Sequence, residues 1–267
     1  MVLVLNGGLS HYSGPPFLNL PKEKIYNVGQ NFSIKWPSYR NVVDGLGDVT
    51  TKASEFLSDP NAFKMVLFTG GEDVTPMLYG DTSPRGICHN SVERDKFEIT
   101  VFEKAVNLGI KMTGICRGVQ FLNVMSGGRM MHDITNHGGV SHPVVTLLGE
   151  SLMVNSYHHQ MVLPPSDAKV VGWAETNISR SYVGNADLKV DYRGKENEIV
   201  IYPRTKSFGV QYHPECMSKD SKGFSYYRNM IIDSLELPWE KFVEVYTIGN
   251  NDNKMLTMHK YGSATTG

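Results

Sequence analysis

Gly114-Ile115-Cys116-Arg117-Gly118-Val119-Gln120 is the stretch whose reading decides the fold. Before it, Gly109-Ile110-Lys111-Met112-Thr113 reads as a short strand. After it, Val119 to Met125 reads as a helix stopped by Gly127-Gly128. A cysteine between glycines on a strand-to-helix turn has the form of a nucleophile elbow, with sulfur in place of oxygen. The turn is too sharp for a Cβ on either side of it. The helix that follows aims its N-terminal amides and positive dipole end at Cys116, which favours thiolate over thiol. The same amides suit an oxyanion. A free cysteine also serves as a small buried apolar residue, so the elbow by itself does not decide the chemistry.

Strand and helix alternate around this elbow. Val2-Leu3-Val4-Leu5 and Met65-Val66-Leu67-Phe68 are continuous apolar runs, as expected of strands buried on both faces of a parallel sheet. Asn90 or Ser91 can cap a helix running to Leu108, with Phe97, Val101, Phe102, Ala105 and Leu108 inward and Gly109 as its stop. Residues 6–47, broken by prolines and glycines, read as irregular, and a short helix is expected over Thr50 to Leu57. The second half is richer in β signal. Arg129 to Ile134, Val144 to Leu148, Leu152 to Asn155, Val170 to Ala174, Glu198 to Tyr202 and Phe208 to Tyr212 are short strand candidates, and Gly223 to Leu235 is a final helix. The pattern predicts an α/β fold: a flavodoxin-like, doubly wound, mostly parallel sheet with helices on both faces and extra strands in the second half. One domain is expected over 1–248, followed by a polar tail over 249–267.

Composition narrows the function. The 267 residues suffice for a large core, and a net charge of −1 recommends neither nucleic acid nor an anionic membrane as partner. Cys88, Cys116 and Cys216 form no disulfide framework and fit a reducing compartment. Met1 to Leu5 has no basic n-region, and no apolar run approaches the roughly 18–20 residues needed to span a bilayer. A cytoplasmic protein is expected. Gly7-Gly8 is far from a dinucleotide fingerprint, so no cofactor is expected. His132, His137 and His142 recur every five residues, a spacing that suits neither a helix face nor a strand face, so no metal site is expected there. Glu72, Asp73, Glu93 and Asp95 are as well explained by a hydrated loop and a helix N-terminus as by a paired-carboxylate site.

A cysteine nucleophile needs a base, and the base needs an orienter. Phe208-Gly209-Val210-Gln211-Tyr212-His213-Pro214-Glu215 offers both, since the strand ends at His213 and Glu215 lies two residues on. A carboxylate on Nδ1 would fix the tautomer and leave Nε2 for the thiol. A plain surface His-Pro-Glu turn has the same sequence, and spacing alone does not bring Cys116 and His213 together.

Taken together, these motifs resemble the class I glutamine amidotransferase superfamily. Thr69-Gly70-Gly71-Glu72-Asp73-Val74, with Pro76 and Tyr79-Gly80, resembles its γ-glutamyl hydrolase branch (peptidase C26), which includes the γ-glutamyl-GABA hydrolases. Glu93-Arg94-Asp95, Asn155-Ser156 with His158-His159-Gln160, and Gly209-Val210-Gln211 with His213-Pro214-Glu215 match that branch too. The resemblance covers roughly residues 64–233 and implies a cysteine hydrolase that cleaves a γ-glutamyl amide through a thioester. It implies Cys116 as nucleophile, His213 as base and then acid, and Glu215 as orienter. It further implies an oxyanion hole from the amides of Gly71 and Arg117, and a glutamyl pocket lined by Gln120, His158 and His159. The first 60 residues, 177–197 and those beyond 236 depart from the pattern, and of these 9–40 and 177–197 would face the leaving group, which leaves that small molecule open. Two alternatives stand: a glutaminase that delivers ammonia to a separate synthetase partner, and a non-catalytic binding protein on the same fold.

Overall fold

The computed structural model describes residues 1–5, 36–82 and 86–248. The polar stretch 249–267 lies outside the described residues, as do Gly7-Gly8 and most of the segment 9–40. The first half runs β1 (Val2–Leu5), α1 (Trp36–Val43), β2 (Val49–Thr50), α2 (Ala53–Ser58), β3 (Met65–Phe68), α3 (Val92–Leu108), β4 (Lys111–Ile115) and α4 (Arg117–Met125). Strands then dominate: β5 (Arg129–Met131), β6 (Asp133–Ile134), β7 (Gly138–Thr146), β8 (Ser151–Tyr157), β9 (Met161–Leu163), β10 (Lys169–Ala174), β11 (Tyr182–Val183), β12 (Asn197–Tyr202) and β13 (Ser207–Val210). Helices α5 (Lys222–Glu236) and α6 (Trp239–Thr247) follow.

Nine strands form one sheet in the order β2-β1-β3-β4-β13-β12-β10-β7-β8. The first five are parallel and stand in the 2-1-3-4-5 order of a flavodoxin-like sheet. The last four continue it antiparallel, so the expected extra β content extends the same sheet. Period-two alternation divides the strand residues between two cores. Val2, Val4, Met65, Leu67, Ile199 and Ile201 face α1, α5 and α6, packing with Tyr39, Val42, Tyr227, Met230 and Phe242. Leu3, Leu5, Val66, Phe68, Val200 and Tyr202 face α2, α3 and α4, packing with Phe56, Val101, Phe102, Phe121 and Leu122. Helices therefore cover both faces. Among the described residues, no helix is long and apolar enough to cross a membrane.

Several boundaries differ from expectation for identifiable reasons. The stretch taken as irregular ends in α1, whose Tyr39, Val42 and Val43 make a short apolar face at i, i+3 and i+4. Arg129 to Ile134 splits at His132, because β5 pairs with β9 and β6 with β11 in two separate ribbons. The last helix is followed by α6, which buries Trp239, Phe242 and Tyr246 against α5. Elsewhere the local signals hold. The Ser91 hydroxyl accepts from the Arg94 amide at the start of α3, and Gly109 closes that helix with φ 66°.

Two glycines let β3, β4 and α4 approach closely. A Cβ at Gly118 would run into the Phe68 carbonyl, and one at Gly114 into the backbone of Gly118. Backbone on backbone cannot be relieved by a rotamer change. Gly118→Ala is therefore expected to lower Tm by at least about 2 °C, the equivalent of roughly 1–3 kcal/mol of overpacking. Gly138→Ala, where a Cβ meets nothing within 4 Å, should leave Tm nearly unchanged in the same calorimetric comparison.

Candidate active site

Cys116 ends β4 and begins α4 with φ 52° and ψ −112°, a conformation that costs a non-glycine residue about 1–3 kcal/mol. Neighbouring bonds impose it. The Cys116 amide donates to the Val210 carbonyl at 2.7 Å, and its own carbonyl accepts from the amides of Val119 and Gln120 at 3.1 and 3.2 Å. The side chain is buried and in no disulfide.

Strand β13 lies beside β4, with Val210 opposite Ile115, so the chain leaving β13 passes the elbow. Asn155 of β8 clamps it there. Its Oδ1 accepts from the His213 amide at 2.9 Å, and its Nδ2 donates to the His213 carbonyl at 3.0 Å. His213 Nδ1 sits 2.6 Å from Glu215 Oε1, and the same imidazole lies near enough to Cys116 to feel the charge of its sulfur. With Nδ1 held by the carboxylate, Nε2 is the nitrogen left for sulfur. Burial works against a charged imidazole here, yet the Cys116 sulfur and the Glu215 carboxylate outweigh it and hold His213 well above the usual histidine range. The other thiols are shifted away from reactivity. Burial, then the Asp73 carboxylate, pushes Cys88 up to about 12, and burial, then Glu215, pushes Cys216 up to about 11.

The Thr69–Glu72 loop leaves β3 beside the cysteine and is tied down by charge. Arg94 of α3 is fully buried and donates from Nη2 to the carbonyls of Thr69 and Gly70, at 3.0 and 3.1 Å. Its Nη1 pairs with Glu72 at 3.0 Å and its Nε with Glu98 at 2.9 Å. Arg117, equally buried, pairs with Glu98 and Asp95 and donates from Nε to the Glu72 carbonyl at 3.1 Å. Burial, then the Arg94 cation, pulls the Arg117 guanidinium down to about 9, which leaves it charged at neutral pH. Gly71 has φ 135°, and a Cβ there would strike Arg94 Nη1. The Arg117 amide is the first of α4, where no intrahelical carbonyl reaches it. Glu72 and Asp95 are thus ion-pair partners of two arginines rather than a bare carboxylate pair, and Glu93 is exposed.

Tyr39 is a further site residue. Its buried hydroxyl accepts from the Gly70 amide at 3.1 Å, and burial, then Glu215 and Cys116, raises its pKa well above the usual phenol. Reading residues 6–47 as irregular hid it. The Tyr39, Val42, Val43 spacing was the signal.

Gln120, one turn into α4, donates to the Gln160 carbonyl at 3.4 Å, and Gln211 donates to the same oxygen at 3.3 Å. The two histidines of that segment part company. The His159 ring lies between Asp73 and Asp133, 3.2 Å from each, and Asp73 above all raises its pKa against partial burial. His158 turns inward, with Nδ1 on the Gln160 carbonyl at 2.9 Å and Nε2 facing Glu198, and burial lowers its pKa. The five-residue histidine series also breaks up: His132 pairs with Asp81 at 3.1 Å, while His137 and His142 stack edge to face. In the 177–197 segment Tyr182 is buried with its hydroxyl on Glu196 at 2.7 Å, and Arg193 pairs with Asp191 on the surface.

The Peptidase C26 family profile matches residues 52–146. A glutamine amidotransferase-like protein of Lactococcus lactis subsp. cremoris, a homolog of YvdE, is 33% identical over 135 residues, covering 43% of this chain and 70% of that protein. The chain belongs to the glutamine amidotransferase-like family. Another amidotransferase-like protein, YvdE of Lactococcus lactis subsp. lactis, is 31% identical over 171 residues, covering 57% of this chain but only 65% of its own length. Among solved structures, a GMP synthase subunit protein of Thermoplasma acidophilum superposes with a TM-score of 0.50. It covers 91% of this chain and 96% of its own at 12% identity, which establishes a shared fold.

In this amidotransferase-like chain the arginine pair is expected to be costly to break. Arg94→Met would leave Glu72 and Glu98 short of a cation and free two loop carbonyls, at a cost of about 3–5 kcal/mol in chemical denaturation. His213 adds a pH dependence. Its pKa is raised on folding, so its stabilisation is complete below the unfolded value of about 6.5 and is lost as pH rises through the folded value. Denaturant titrations of His213→Gln should accordingly show a larger loss near pH 6 than near pH 10.

Proposed function

We propose that this chain is a cysteine hydrolase that cleaves a γ-glutamyl amide through a γ-glutamyl thioester on Cys116. The observation that carries the reading is the single imidazole of His213, held by Glu215 at 2.6 Å and set near the elbow cysteine, whose charge acts on it. The thiolate attacks the side-chain carbonyl carbon, and the carbonyl electrons move to oxygen. The amides of Gly71 and Arg117 hold that oxyanion, and the Arg94 anchor keeps the first of them in place. His213 passes its proton to the departing nitrogen as the C–N bond breaks. Freed of that proton, it draws one from water, and hydroxide opens the thioester to glutamate and thiolate. Glu215 keeps the ring in the tautomer both steps require.

Gln120 and the His158–Gln160 segment form the glutamyl side of the site. His159 offers a half-exposed ring there, and His158 acts by anchoring the segment. Buried Tyr182 is committed to Glu196, so an amine larger than ammonia would meet other parts of the rim.

If the chain works alone on a γ-glutamyl amine, that substrate should show kcat/KM at least about tenfold above glutamine with the purified protein, because contacts to the leaving group act only when that group is present. A diazo-ketone glutamine analogue should label Cys116 and spare Cys88 and Cys216. Glutamine as the best substrate, and only after a second protein is added, would instead make the chain an ammonia donor. Equal labelling of the three cysteines would reject the nucleophile assignment.

A further inference from the structure

On the antiparallel half of the sheet four side chains converge, of which only His158 has a part in the reading above, as an anchor of the glutamyl segment. His137 precedes β7, His142 lies within it, His158 follows β8, and Glu198 belongs to β12. All four are at least nine-tenths buried. Three ring nitrogens surround one oxygen: Glu198 Oε1 lies 3.7 Å from His137 Nδ1, 3.4 Å from His142 Nε2 and 3.5 Å from His158 Nε2. None of these distances is that of a well-formed hydrogen bond. Both Glu198 oxygens and the facing nitrogens of His142 and His158 have no hydrogen-bond partner. Buried polar atoms are rarely left so.

The far nitrogens explain why. His137 Nε2 faces a Glu196 oxygen at 3.1 Å, His158 Nδ1 the Gln160 carbonyl at 2.9 Å, and His142 Nδ1 the Pro143 carbonyl at 3.4 Å. All three partners only accept, so the protons of neutral rings sit on these outer nitrogens. The inner nitrogens then present lone pairs to a carboxylate. Ser156 Oγ, 3.1 Å from His137 Nδ1, gives its proton to the His137 carbonyl at 2.7 Å and adds another lone pair. An electron-rich cage of this kind calls for a cation at its centre.

The dimensions name the cation. A tetrahedral zinc-class ion has ligand bonds of about 2.0–2.2 Å, which places neighbouring ligand atoms about 3.4 Å apart. The distances from His137 and His158 to Glu198 Oε1 are close to that edge, and the three ligand atoms all lie within 4.8 Å of one another. The outer bonds match the surroundings of metal-bound histidine, whose second nitrogen is held by a carboxylate or a backbone carbonyl.

We propose that His137, His158 and Glu198, whose ligand atoms all lie within 4.8 Å of one another, form a binding site for a divalent transition-metal ion of the zinc class, with a structural role and with His142 beside Glu198. The ion would join β7, β8 and β12. Two of these bear on the catalytic arm: β8 carries Asn155, which clamps His213, and β12 pairs with β13. The site shares no residue with Cys116, His213 or Glu215. The five-residue histidine series contributes His137, and tertiary structure supplies the other ligands from 21 and 61 positions beyond it.

The test is Co²⁺ titration of the full chain after metal is stripped with a chelator. One equivalent should give the visible absorption of tetrahedral cobalt without a sulfur-to-metal band, and Zn²⁺ should displace it and raise Tm. Glu198→Gln and His137→Gln should each weaken Co²⁺ binding more than about tenfold. A folded, stripped wild-type chain that takes up no Co²⁺ would overturn the proposal and leave protons as the cations of the cage. So would a sulfur band, or uptake unchanged in both variants. The wild-type spectrum decides even if a variant fails to fold.

Discussion

The carboxyl edge of the sheet depends on how closely the start of α4 lies against β3. With hydrogen alone at Gly118, the helix backbone rests on the Phe68 carbonyl, and with hydrogen alone at Gly114 the strand passes under the helix it feeds. That contact forces the turn between them, and the turn puts Cys116 at a positive φ with its carbonyl capping the helix. A wider spacing would relax the elbow and draw the sulfur away from His213. Cys116 is therefore held by the packing of backbone on backbone, a constraint stiffer than side-chain contacts.

A second layer fixes what faces the sulfur. Two buried arginines share Glu98, and each takes a second acid, so neither cation lies uncompensated in the interior. Buried ion pairs contribute little net stability compared with apolar packing, but they are directional. Here the direction is used: Arg94 grips two successive carbonyls of the loop that carries Gly71, and Arg117 grips the next segment at Glu72. Carbonyls turned toward the arginines leave the loop amides free to face the opposite side. On that side Tyr39 takes the Gly70 amide, which confines the loop from both directions.

Much of this was legible in the sequence because it is local. Continuous apolar runs at 2–5 and 65–68, caps at Ser91 and Gly109, and glycines bracketing Cys116 each report their own surroundings. The His213–Glu215 pair was legible for the same reason, two residues after a strand end. What stayed hidden is made by distant pairing. Arg94 reads as an ordinary residue of an acidic helix start until α3 is laid beside the Thr69 loop. Tyr39 belongs to a two-turn helix whose apolar face is too short to stand out among prolines. His158 and Glu198 are 40 residues apart in sequence, and only the β7–β8–β12 arrangement brings them together. The split of 129–134 at His132 has the same origin, since two short ribbons pull its halves to different partners.

Catalysis by Cys116, His213 and Glu215 as one unit is the central claim, and the acyl-enzyme is its most direct witness. Rapid acid quenching of the full chain during turnover of a γ-glutamyl amide, followed by peptide mass spectrometry, should find one glutamyl group on the Cys116 peptide. His213→Gln should abolish the adduct, and Glu215→Gln should slow its formation. Turnover with no adduct at Cys116, or an adduct on Cys88 or Cys216 instead, would contradict the account.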